Sequence, residues 1–112
     1  MQTANNNVDI ENLDDGFVEV LTLLEEELGS ELIVTSGYRP VDHPVEKNKS
    51  TPGEHTYGMA VDVAAIGGTA VFMIVQAAIK VGITRIGISR KSNFIHLGGG
   101  YPGSVKHTIW TY

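Results

Sequence analysis

Asp62 stands between Val61 and Val63 in Met59–Ala65, an alternating run that otherwise reads as a half-buried strand. A buried carboxylate is costly unless it is paired or bound to a metal, so any fold this chain adopts must bring Asp62 a partner. His55 lies seven residues upstream, too far for two ligands on one helical turn, with Gly58 midway. That spacing suits a loop that carries the histidine and turns at Gly58 into the strand carrying the aspartate. Thirty-four residues after Asp62, His96 sits between Ile95 and Leu97 in a second strand-like run, Asn93–Leu97. By strand parity Ala60, Asp62 and Ala64 share a face, as do Phe94, His96 and Gly98, so adjacent strands can aim Asp62 and His96 at one spot. Two histidines and a carboxylate from separate segments can form a three-ligand zinc site with an open fourth position. Two other readings stay open on these residues alone. Asp62 can form a buried salt bridge to Arg39 or Arg85, and a lone loop histidine such as His55 is ordinarily a surface or hydrogen-bonded residue.

The rest of the chain supplies a frame for these segments. Residues 1–8 are polar and asparagine-rich and are expected to form a loosely held, flexible arm, followed by a single domain over residues 9–112. Ile10, Leu13, Phe17, Val20, Leu21, Leu24 and Leu28 follow helical spacing, with Asp9 as N-cap, Gly16 as a weak spot and Gly29 as C-cap. Glu25–Glu27 reads as the solvated face of that helix. Glu31–Ser36 predicts a strand closed by Gly37, and Tyr38–Gly53 a long loop of the kind that is often functional. A second helix is expected from Ala70 to about Lys80, capped by Thr69 and ended by Gly82; being apolar almost all round, it should be largely buried. Ile83–Ile88, Asn93–Leu97 and Thr108–Tyr112 read as strands, and Gly98–Gly103 as a tight or flexible loop. The pattern predicts an α+β domain with a small, mainly antiparallel sheet packed against two helices.

Composition narrows the partners. A chain of 112 residues with net charge −5 and no block of Lys and Arg carries no electrostatic footprint for nucleic acid. Its lack of cysteine excludes disulfides and thiolate metal sites. No apolar run is long enough to span a bilayer, so membrane insertion is not expected. The first residues lack the basic and apolar regions of a signal peptide, and a monomer is expected.

Taken in order, Ser36-Gly37-Tyr38-Arg39-Pro40, then His55-Thr56-x-Gly58-x-Ala60-x-Asp62, then Phe94-Ile95-His96-Leu97, with the ending Trp110-Thr111-Tyr112, resemble the zinc D-alanyl-D-alanine carboxypeptidase family. That family includes VanX-type dipeptidases and phage L-alanyl-D-glutamate endolysins, and shares its fold and zinc ligation with the hedgehog signalling domain. The resemblance runs from about Leu13 to Tyr112 and is greatest to the short phage and bacterial branch. It implies Zn2+ held by His55, Asp62 and His96, with Arg39 on the substrate or the developing oxyanion. It further implies a peptidoglycan peptide as substrate, and a protein made in the cytoplasm without a signal peptide that acts on the cell wall after release or as part of a phage. The bland reading of Arg39 is an ion pair with Asp42 or Glu46.

The chain departs from the family pattern in three places. Asn93 stands where many relatives carry the general base, Gly98 where short-branch relatives carry an aspartate, and Gly53 where a serine is common. The first departure bears on turnover, because a general base contributes roughly 10²- to 10⁴-fold. Glu54 and His107 are the candidate substitutes, each with a bland alternative: a solvated loop residue and a cover for the sheet edge. Tyr57, between two of the candidate ligands, is the expected pocket wall, and Trp110 is expected in the core. A zinc-containing cell-wall-binding or structural module with weak or no catalysis is the alternative function.

Overall fold

The computed structural model describes residues 1–49 and 53–112; residues 50–52, within the expected 38–53 loop, lie outside the described residues. Six strands, β1 (Gln2–Thr3), β2 (Ile33–Ser36), β3 (Ala60–Ala64), β4 (Arg85–Ser89), β5 (Phe94–Gly98) and β6 (Thr108–Thr111), form one sheet in the order β1-β2-β3-β5-β4-β6. The three inner pairings are antiparallel and the two edge strands add in parallel. Two long helices, α1 (Asp15–Leu28) and α3 (Gly68–Lys80), accompany the sheet, with a single-turn helix α2 (Pro44–Lys47) inside the long loop. The expected α+β class and mainly antiparallel sheet are both observed. Among the described residues no helix is long and apolar enough to cross a membrane.

The local chemistry explains where expectation and structure part. Asp14, not Asp9, caps α1 by accepting a hydrogen bond from the Phe17 N–H at 3.0 Å. Asp9 instead folds its carboxylate onto the N–H groups of Glu11 and Asn12, an Asx turn that uses the side chain before the helix begins. Gly29 closes α1 in the left-handed region as expected. At the start of the chain Gln2 and Thr3 pair with Ile33 and Val34, and the Met1 amino group lies 3.0 Å from Glu25. Glu25 is therefore not simply solvated, since the same oxygen, Oε2, also accepts from the Leu32 N–H at 2.8 Å. α3 starts at Gly68, with Gly67 and not Thr69 at the N-cap and no side-chain cap hydrogen bond. Its inner face, Ile74, Ala77 and Ala78, is buried, whereas Phe72 and Ile79 are 63% and 56% exposed. The helix covers one side of a small sheet and, among the described residues, nothing packs on its outer side, so apolar composition overstated its burial.

Phe17, Leu21 and Leu24 of α1 and the inner face of α3 meet Val34, Val61, Val63, Ile86, Ile95 and Leu97 from the sheet. Alternation then sends the intervening residues of β3 and β5 to the opposite face. In register across that face run Ser36, Asp62, His96, Gly87 and Trp110, one residue from each of five neighbouring strands.

Candidate metal centre

Asp62 and His96 face each other as a register pair of β3 and β5, as parity predicts. His55 reaches the same spot from a 3-10 turn, Glu54–Tyr57, which Gly58 ends at φ 67° before the chain enters β3. His55 is held twice: its carbonyl accepts from the Arg39 N–H, and its Nδ1–H donates to the Gly37 carbonyl at 2.8 Å. A carbonyl only accepts, so Nδ1 carries a proton and Nε2 is the nitrogen turned to the cluster. That nitrogen lies 3.4 Å from Asp62 Oδ1, and His96 Nδ1 lies 3.1 Å from the same oxygen. One ligand atom from each of His55, Asp62 and His96 falls within 4.8 Å of the others, and all three residues are buried. This is the one such buried His, Asp and His cluster among the described residues. The donor set fits a borderline cation such as zinc: two imidazole nitrogens, one carboxylate and no thiolate.

The electrostatics point the same way. Burial alone raises the Asp62 pKa, but hydrogen bonds and charge from His55 and His96 outweigh it and hold the carboxyl well below its ordinary value. Burial lowers the His96 pKa, yet its hydrogen bonds to Asp62 and Glu54 prevail and raise it.

Arg39 stands beside the cluster. Its Nη2 donates to Ser36 Oγ at 2.7 Å and lies 3.8 Å from Asp62 Oδ2, while Nη1 donates to Glu46 Oε2 at 3.2 Å. The ion pair with Glu46 and the position beside the cluster are both observed. Glu46 itself is buried, and burial works against its charge. The Gly53 N–H, Lys49 and Arg39 outweigh that effect and hold its pKa below the usual value.

Glu54 is not a solvated loop residue; it is 4% exposed. Its Oε1 accepts from His96 Nε2 at 2.6 Å, and its Oε2 accepts from Arg85 Nε at 3.0 Å and the Gly100 N–H at 2.7 Å. Burial raises its pKa, but the hydrogen bond and charge of His96, with Gly100 and Arg85, lower it overall. His107 is not brought to the cluster. It lines a separate apolar hollow with Ile79, Ile83 and Ile109. Asn93 does not line the cleft over the cluster; its carbonyl accepts from the Ala65 N–H at the start of β5.

That cleft has a volume of about 340 Å³ and runs over Arg39, His55, Asp62 and His96 to an aromatic wall of Tyr101, Trp110 and Tyr112. Trp110 is not a core residue. Its ring lies 5.2 Å from that of His96, above Gly87, where a Cβ would come within 2.6 Å of the indole. Tyr57 is 47% exposed and stands one layer out, stacked on Tyr101 at 5.4 Å. Arg85, which sequence reasoning weighed only as a partner for Asp62, instead holds Glu54 and lies over the rings of Tyr101 and Trp110. Its signal was an arginine opening a short strand two residues before a lone glycine, too weak to single out. A larger hollow of about 460 Å³ lies on the other side of Arg39, against Asn5–Asp9, and holds none of the three candidate ligands.

The buried cluster of two histidines and one carboxylate under a cleft, with a guanidinium at its edge, is a set of side chains that could hold a metal ion. The sequence model of the family described as Peptidase M15 matches residues 2–98, and the chain belongs to that family, the zinc D-Ala-D-Ala carboxypeptidase-like peptidases. No curated protein matches the chain. β6 and its Trp110 lie beyond the matched residues.

Proposed function

We propose that this chain is a zinc-dependent peptidase that hydrolyses stem or cross-link peptides of peptidoglycan, of the D-Ala-D-Ala carboxypeptidase or L-Ala-D-Glu endopeptidase type. The buried cluster of His55, Asp62 and His96 at the floor of an open cleft carries the reading. His55 Nε2, Asp62 Oδ1 and His96 Nδ1 are the atoms that would hold the ion. When bound, zinc supplies a water acidified toward neutral pH and polarises the scissile carbonyl.

The protein's own groups do the rest. Arg39 offers a fixed guanidinium that can clamp a peptide carboxylate or stabilise an oxyanion. Gly37 and Glu54 hold the two imidazoles in orientation from behind. Tyr101, with Tyr57 stacked on it, walls the cleft against which a peptide would lie. The protein would act as a monomer at the cell wall, after release or as part of a phage.

One observation favours the second reading, a zinc-containing cell-wall-binding module with little hydrolysis. Among the described residues the carboxylates lining the cleft are Glu54 and Asp62, and neither is free to accept a proton from water. Incubating the zinc-loaded protein with purified muropeptides, with and without a chelator, separates the readings. The peptidase releases new amines that the chelator suppresses. Binding to sacculi with no new amines in any condition would leave the module.

A further inference from the structure

We infer that Glu54 is a positioning residue for His96, and that Gly98 is glycine because the Glu54 carboxylate occupies the space a side chain there would need. The inference rests on the metal reading of the cluster. His96 has two ring nitrogens and only one can face the centre. With the Nε2–H donated to Glu54 Oε1 at 2.6 Å, Nδ1, 3.1 Å from Asp62, is the nitrogen left to turn to the centre. Glu54 is fixed in turn by Arg85 Nε and the Gly100 N–H on its second oxygen, so the carboxylate does not swing.

The link to Gly98 is steric. An ideal Cβ on Gly98 would lie 2.3 Å from the carboxyl carbon and from each oxygen of Glu54, far inside contact distance. Gly98 follows His96 by two residues and sits on the same face of β5. The carboxylate behind His96 therefore has one seat that two positions can fill: residue 54 from the 3-10 turn, or residue 98 from the strand. This chain fills it from 54. That role also explains why both oxygens of Glu54 are engaged, which suits an orienting group and not a proton acceptor.

The test is a cycle of Glu54→Ala, Gly98→Asp and the double variant, read by zinc affinity against a chromophoric chelator and by Tm of the metal-free proteins. Outer hydrogen-bond partners of metal-bound histidines are worth about 10- to 100-fold in affinity. Glu54→Ala is expected to lose zinc affinity by that factor, and Gly98→Asp added to it is expected to restore most of the loss. Gly98→Asp alone should lower Tm, and the same change should cost little in the Glu54→Ala background. Glu54→Gln keeps the side-chain volume and serves if Glu54→Ala does not fold; it should lose affinity in the same direction. Wild-type zinc affinity in folded Glu54→Ala, or a double variant no better than Glu54→Ala, would overturn the inference. A wild-type protein that takes up no zinc would instead sink the metal reading, and the Tm cycle would still report whether 54 and 98 share one seat.

Discussion

Arg39 Nη2 stands 3.8 Å from Asp62 Oδ2, whereas His55 and His96 both face Oδ1 of the same carboxylate. One oxygen is thus turned to the cluster and the other to a guanidinium that opens onto the cleft. The division leaves the Arg39 guanidinium on the cleft side, away from the oxygen that the two histidines approach.

Arg39→Lys tests that division. Lysine keeps the charge but loses the planar fork, so zinc stoichiometry should stay at the wild-type level while kcat/KM falls about 10²-fold. Metal analysis and amine release on the same samples check both halves. Loss of zinc from a folded Arg39→Lys protein would place the arginine in the metal site itself.

Glu46 sets an acid limb on stability. Its pKa lies below the ordinary value near 4.5, because the hydrogen bonds from Gly53, Lys49 and Arg39 outweigh burial. A carboxyl with a depressed folded-state pKa contributes stability that is present above its unfolded pKa and lost as pH falls through the folded one. Denaturant midpoints of the metal-free protein should therefore drop on acidification below about 4.5, and Glu46→Gln should flatten that drop while lowering stability at neutral pH. An unchanged slope in Glu46→Gln would refute this role.

Gly87→Ala should move Trp110. The added Cβ would meet the indole at 2.6 Å, so the ring must lift from its place beside His96. Tryptophan emission should shift to the red, stability should fall by about 1–3 kcal/mol, and zinc stoichiometry should hold. Emission identical to wild type would show that the wall does not depend on Gly87.

Leu21→Ala probes the scaffold. Leu21 is fully buried between α1 and the sheet, and its truncation should cost about 2–5 kcal/mol. If zinc binds the folded chain as proposed, excess zinc should recover part of that loss by mass action. Paired thermal melts with zinc and with chelator measure both effects.

The cluster was legible because two short strands each carry a charged or titratable residue at an apolar position, and strand parity lets Asp62 and His96 share one spot once those strands lie side by side, as they do. The two parallel edge strands carry no comparable signal. Gln2–Thr3 is too short for any periodicity, so its docking on β2 reads as an arm. Trp110 joins the row of Asp62 and His96 only because β6 adds beside β4 in register with Gly87, a long-range pairing invisible in local pattern. Glu54 looked like a loop carboxylate for the same reason: its partners are 31 to 46 residues away. Sequence reasoning likewise could not separate a positioning carboxylate from a base, since the difference lies in which face of His96 it touches.

The central claim is that His55, Asp62 and His96 are the ligands of one zinc ion. A crystal structure of the zinc-loaded protein with anomalous data at the zinc edge tests it most directly. The account predicts a single strong peak bonded to His55 Nε2, Asp62 Oδ1 and His96 Nδ1, at roughly 2.0–2.2 Å from each, with Glu54 still behind His96. A fully loaded crystal with no peak between those three side chains, or with zinc held elsewhere, would contradict it.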